Sequence, residues 1–142
     1  MESFKREVKY YECDRMGITH HSNYIRFMEE ARIYVLDMLG YGFDRMEAEG
    51  VVSPVVAVSC EYKKPTTFKD EIEISLKVKE MSELKITFSY VMKVKGVLVC
   101  KATSTHCFIE NGRPFSFQKR WPELTEKLME VPLSQIFLLR LR

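Results

Sequence analysis

The stretch Asn23-Tyr24-Ile25-Arg26-Phe27-Met28-Glu29-Glu30-Ala31-Arg32-Ile33-Tyr34-Val35-Leu36-Asp37-Met38-Leu39 decides the fold. Tyr24, Met28, Ala31, Val35 and Met38 recur at alternating steps of four and three, which sets them on one stripe of an α-helix. Ile25, Phe27, Ile33, Tyr34, Leu36 and Leu39 widen the stripe, so this helix is expected to be buried on most sides. Ser22 or Asn23 is expected to cap its first turn and Gly40 to stop it. A shorter helical piece is expected over Phe43–Glu49, ending at Gly50.

Beyond Gly50 the period changes to two. Val51–Tyr62 reads as one long valine-rich strand. Over Glu71–Lys79 the side chains Ile72, Ile74, Leu76 and Val78 alternate with Glu71, Glu73, Ser75, Lys77 and Lys79. Leu84–Lys95 alternates in the same way, with Leu84, Ile86, Phe88, Tyr90, Met92 and Val94 on one face. One apolar and one polar face is the pattern of an antiparallel sheet. Gly96 marks a turn into Val97–Ile109, Asn111-Gly112 marks another, and Pro122 can open a last helix over Pro122–Glu130. The tail Ile136–Leu141 is apolar.

Upstream of the long helix, Glu2–Tyr11 reads as a first strand and Glu12–His21 as a loop. The order is therefore strand, long helix, then four strands. That is an α+β layer fold in one domain over residues 1–142, with a C-terminal helix and tail from about 120. A curved, mainly antiparallel five-stranded sheet around a buried helix leaves edges open. Pairing with a second copy closes one of them.

Composition excludes several classes. The chain has 142 residues, of which 46% are hydrophobic and 30% charged, a balance that fits a folded soluble protein. A net charge of +2 with no dense basic stripe argues against a nucleic-acid partner. No stretch approaches a membrane span, and the N-terminus lacks the apolar run of a secretory signal. Cys13, Cys60, Cys100 and Cys107 show no C-x-x-C spacing, so they read as reduced thiols of a cytoplasmic protein, without a zinc site.

The richest chemistry lies just before the long helix, in Tyr11-Glu12-Cys13-Asp14-Arg15-Met16-Gly17-Ile18-Thr19-His20-His21-Ser22-Asn23-Tyr24. A helix N-terminus offers N–H donors and positive partial charge to a developing oxyanion. A carboxylate beside it can act as base or nucleophile, and a histidine can move protons near neutral pH. Taken alone, Asp14 to Gly17 is more often a turn whose carboxylate bonds local N–H groups, and His20-His21 more often a polar loop pair. No P-loop, G-x-S-x-G elbow or dinucleotide fingerprint is present.

As a set, Tyr11 to Gly17 followed by His20-His21-Ser22-Asn23-Tyr24 resembles the signature of the 4-hydroxybenzoyl-CoA thioesterase-like family of hotdog proteins. Glu29-Glu30-Ala31-Arg32, Cys60-Glu61-Tyr62 to Pro65, and Asp70 leading into a strand fit the same pattern, and the resemblance covers about Val8 to Ile109. It implies a hotdog fold, dimers or tetramers with active sites at the subunit interface, and hydrolysis of an acyl-CoA thioester, or one on acyl-carrier protein. It implies no metal or redox cofactor, the CoA moiety being part of the substrate.

The resemblance also implies roles. Asp14 would be the attacking carboxylate or the general base, His21 an aid to positioning or proton transfer, and Tyr24 a catalytic-site residue closer to a pocket wall than a proton donor. Gly17 and Asn23 would belong to the substrate site, with the N–H of Asn23 or Tyr24 polarising the carbonyl. Lys63, Lys64, Lys93 and Lys95 are candidates for the CoA phosphates. Cys13 stands where many relatives of this pattern carry threonine. Hotdog folds also host hydratases and dehydratases, whose histidine sits in a proline-bearing setting absent around His20 and His21, and non-catalytic acyl-CoA sensors, which would not need Asp14.

Overall fold

The computed structural model describes residues 3–130, so the Ile136–Leu141 tail lies outside the described residues. The long helix, α1, spans Asn23–Met38. It buries Tyr24, Phe27, Met28, Ala31, Val35 and Leu36 of the apolar surface its spacing predicts, and Asn23 and Arg32 besides, while Met38 is half-buried and Ile25 is exposed. Gly40 follows with φ +83, a left-handed conformation that glycine adopts without Cβ strain. The start of α1 differs from expectation. Ser22 makes no cap hydrogen bond to the helix. Its hydroxyl instead meets Nδ1 of His20 at 2.8 Å.

The first strand, β1, is only Phe4–Glu7. Tyr10–Glu12 forms a 3-10 turn rather than continuing it. The Glu12 carboxylate accepts the Lys9 N–H at 2.7 Å, which folds the chain back at that point. A short helix α2, Phe43–Ala48, follows α1. The run expected over Val51–Tyr62 divides into β2, Val51–Val52, and β3, Val55–Tyr62. The break falls at Ser53-Pro54, where proline lacks a ladder N–H.

β4 (Glu71–Met81), β5 (Lys85–Val94) and β6 (Val97–Cys107) complete the main sheet. Its order is β1-β4-β5-β6-β3 and every pairing is antiparallel. Ile72, Ile74 and Leu76 of β4 and Ile86, Phe88, Tyr90 and Met92 of β5 are buried, as period-two reading requires. β5 turns into β6 through Lys95-Gly96, with φ +48 and +79, a pair of left-handed residues that matches the twist of a tight hairpin. This is the hotdog arrangement: one helix lying in a wrapped antiparallel sheet.

A small second sheet was not expected. β2 pairs with β7 (Ile109–Glu110), which pairs with β8 (Arg113–Pro114) across the Asn111-Gly112 turn. After it come α3 (Phe117–Arg120) and α4 (Pro122–Glu130), whose Leu124 and Leu128 enter the core. β3, by contrast, is an edge strand with only β6 beside it among the described residues. Its Val55, Val56, Val58 and Tyr62 are 39–48% exposed. An apolar edge of this kind is a template for pairing with another chain.

Candidate active site

Asp14 sits at the tip of a small hairpin. Cys13 bridges Thr19, the Asp14 N–H donates to the Ile18 carbonyl at 2.8 Å, and the Gly17 N–H returns to the Asp14 carbonyl at 3.0 Å. Gly17 takes φ +78, so the turn favours glycine there. The Gly17 carbonyl accepts the Thr67 hydroxyl at 2.7 Å, and the Thr19 N–H donates to Thr66 at 2.8 Å, which tie the hairpin to the loop before β4. Asp14 Oδ1 accepts the Met16 N–H at 2.8 Å. The turn reading of Asp14 is therefore correct for one of its carboxylate oxygens; the other, Oδ2, takes no bond from the described residues.

The carboxylate lines a cavity of about 390 Å³ together with His21, Tyr24, Lys63 and Lys64. A volume of this size suits a small organic ligand. Met16, Ile18, Tyr62 and Pro65 give the cavity apolar walls. The two lysines come in on the loop after β3, whose Lys63 and Lys64 N–H groups both donate to the Val99 carbonyl, at 2.8 and 3.2 Å. His21 is exposed, stacks on His20 at 4.3 Å, and meets Tyr62 edge-on at 6.3 Å. Asp14 and His21 face the same space without hydrogen-bonding each other.

Tyr24 is 3% exposed. Its hydroxyl meets Thr66 Oγ1 at 2.8 Å, and Thr66 meets Thr19 at 2.6 Å. Burial pushes the Tyr24 phenol up, so it stays a neutral wall with its polar end occupied. Tyr62 enters the sequence reading only as a strand end and as part of the family pattern, and Thr66 does not enter it. The sequence offers no local sign of Thr66, whose contact with Tyr24 spans 42 positions. The neighbouring Cys100 thiol pulls Cys60 down to about 7 and is itself pushed up; Cys100 Sγ donates to the Lys101 carbonyl at 3.7 Å. Cys60 Sγ lies 3.8 Å from Met28 Sδ.

Four of the expected site groups are placed or occupied otherwise than the resemblance implies. Lys93 does not line the cavity: Ile86, Phe88, Tyr90 and Met92 take the core side of β5, and Lys93 falls on the solvent side opposite Glu73. Asn23 is buried, and its side-chain amide donates to the Glu12 carbonyl at 2.9 Å, so it ties the loop down rather than facing ligand. The Asn23 and Tyr24 N–H groups already donate to the His20 and His21 carbonyls, at 3.0 and 3.2 Å. They are not idle donors for an oxyanion. Gly17 shapes the turn and is not itself a cavity wall.

Known proteins share this architecture. A crystal structure of an Aquifex aeolicus protein is 37% identical in sequence, superposes with a TM-score of 0.83, and covers 87% of this chain and 98% of its own. The crystal structure of a Staphylococcus aureus DHNA-CoA thioesterase is 27% identical with a TM-score of 0.80, covering 87% of this chain and 85% of its own. A Bacillus subtilis protein, YneP, provisionally named an acyl-CoA thioesterase, is 35% identical over 120 residues, 82% of this chain and 87% of its own length. Residues 8–132 match the family described as the thioesterase-like superfamily, and this chain belongs to that family.

Proposed function

We propose that this chain is an acyl-CoA thioesterase that hydrolyses an acyl-CoA to the free acid and CoA, with Asp14 as the essential carboxylate. The observation that carries the reading is the Asp14 carboxylate itself, fixed by one oxygen and lining a ligand-sized cavity beside the start of α1. The thioesterase names borne by YneP and by the Staphylococcus aureus structure support it.

In this reading the thioester carbonyl points toward the N-terminal end of α1, where the helix supplies positive partial charge. Asp14 removes a proton from water as the water oxygen adds to the carbonyl carbon, or adds to that carbon itself and is released by water. The tetrahedral intermediate collapses with cleavage of the C–S bond. The sulfur leaves as thiolate, which needs little help because an ordinary thiol has a pKa of about 8.5. His21 can hand a proton to it across the cavity. Lys63 and Lys64 draw the CoA phosphates to the mouth.

The open apolar edge of β3 belongs to the same reading. A second copy pairing there closes the edge and sets Val58 and Tyr62 against its own side chains, making a homodimer. Release of free thiol from a panel of acyl-CoAs, by the protein and by Asp14→Asn, tests the function. A protein that binds acyl-CoA without releasing thiol is a sensor and not an esterase.

A further inference from the structure

Glu12 is a carboxylate only 2% exposed, two residues before Asp14, and it takes no part in the cavity. Arg6 of β1 holds it with both terminal nitrogens, Nη2 donating to Oε2 at 2.7 Å. Arg6 Nε donates in turn to Glu30 of α1 at 2.9 Å, and the guanidinium lies 4.9 Å from the Phe27 ring centre. A forked, charge-assisted pair of this kind fixes geometry as well as attraction. On its backbone side, the Glu12 carbonyl accepts the His20 N–H at 2.8 Å and the Asn23 side-chain amide at 2.9 Å.

One residue is thus bound by its side chain to β1 and through Arg6 to α1. Its carbonyl holds both the returning leg of the Asp14 hairpin and the first residue of α1. A separate link, Tyr24 to Thr66 to Thr19, joins the first turn of α1 to the same leg of the hairpin but does not reach β1, and Ser22 gives α1 no cap. The distance between the Asp14 carboxylate and the helix start is the quantity that thioester attack depends on, and a misplacement of about 1 Å can cost about a hundredfold in rate.

We propose that Arg6 and Glu12 are positioning residues, which act through Asp14 by locking its hairpin to the N-terminal end of α1 without touching substrate. This rests on the thioesterase reading for its kinetic test, and a second measurement free of substrate separates the two.

The kinetic test compares Glu12→Gln in the wild-type and Asp14→Asn backgrounds. Glu12→Gln retains an oxygen for the Lys9 N–H and removes the charge that Arg6 grips. In the wild-type background kcat falls by about tenfold or more with KM within about twofold, and in the Asp14→Asn background the further loss is under about twofold, as expected of residues that act as a unit. Equal losses in both backgrounds, or a loss carried by KM, overturn the proposal. Should Glu12→Gln not fold, Arg6→Lys keeps the charge and removes the fork, and the same pattern is required of it.

Amide hydrogen exchange on the free protein supplies the other arm. Exchange at Asp14 and His20 should quicken by about tenfold or more in Glu12→Gln while Ile74 and Tyr90 keep wild-type protection. Unchanged exchange at Asp14 and His20, or a uniform rise across the sheet, contradicts the proposal whether or not the wild type hydrolyses acyl-CoA. If exchange changes as stated and the wild type releases no thiol, the positioning role stands and the thioesterase reading falls.

Discussion

The Tyr24 hydroxyl sits 2.8 Å from Thr66 Oγ1 and is thereby turned away from chemistry. Thr66 has a second partner in Thr19. Tyr24→Phe therefore leaves no buried hydroxyl orphaned. It should lower stability by only about 1 kcal/mol, the net worth of one hydrogen bond. Denaturant unfolding measures this. Thioester hydrolysis should fall by less than about threefold, or about 0.7 kcal/mol of barrier; a loss of a hundredfold would make Tyr24 a proton donor and not a wall.

His106 predicts a pH-dependent stability. Burial, then the charge of Arg32, pushes its imidazole down to about 3. Its Nε2 meets the Ser104 hydroxyl at 2.7 Å, Ser104 meets the Tyr90 hydroxyl, and Arg32 donates to Tyr90 at 3.0 Å. The folded state holds His106 neutral while the unfolded chain protonates near its ordinary 6.5. Between those values the unfolded state binds more protons, so stability falls as pH falls from about 6.5 toward 3. The span is worth on the order of 5 kcal/mol. Melting temperatures measured across this window should show the slope, and His106→Gln should flatten it. An unchanged slope in the variant would assign it to other groups.

The long helix and the alternating strands were legible because each period is local. Tyr24, Met28, Ala31 and Val35 reach the core as their spacing requires, and so do Ile72, Ile74 and Leu76. The first strand was read too long because its end is set by Glu12 reaching back to Arg6 and the Lys9 amide, a choice no window of hydrophobicity contains. Arg32 reads as a surface residue but lies 6% exposed, its Nε without a partner among the described residues. At the site, Asp14, His21, Tyr24, Lys63 and Lys64 do converge. Lys93 does not, because strand parity sends it to the other face, and the occupied Asn23 and Tyr24 amides could be seen only from backbone geometry.

Cys60 should be the reactive thiol. The neighbouring Cys100 thiol lowers it to about 7, which makes it more nucleophilic at neutral pH than an ordinary cysteine. The rate of alkylation by iodoacetamide, followed by peptide mass mapping, should rise through a midpoint near that value. Cys100→Ala removes that neighbouring thiol and should move the midpoint upward. A midpoint that stays put would mean that another group sets it.

The exposed face of β3 gives a prediction about assembly. Val58 is 39% exposed on a strand whose second edge is unpaired among the described residues. Val58→Asp places a charge where the proposed second copy packs, and like charges would meet across a two-fold interface. Sedimentation should show a dimer for the wild type and a monomer for the variant, with similar helix and strand content. A variant that remains dimeric would place the interface elsewhere.

If the Asp14 carboxylate performs thioester hydrolysis, thiol release from a panel of acyl-CoAs must separate the wild type from Asp14→Asn. Asparagine keeps the side-chain oxygen that accepts the Met16 N–H, so the hairpin should persist. The wild type should turn over at least one acyl-CoA, and the variant should fall by about a hundredfold or more, or about 2.7 kcal/mol of transition-state stabilisation. A wild type that binds acyl-CoA but releases no thiol, or a variant as active as the wild type, would contradict that role of the carboxylate.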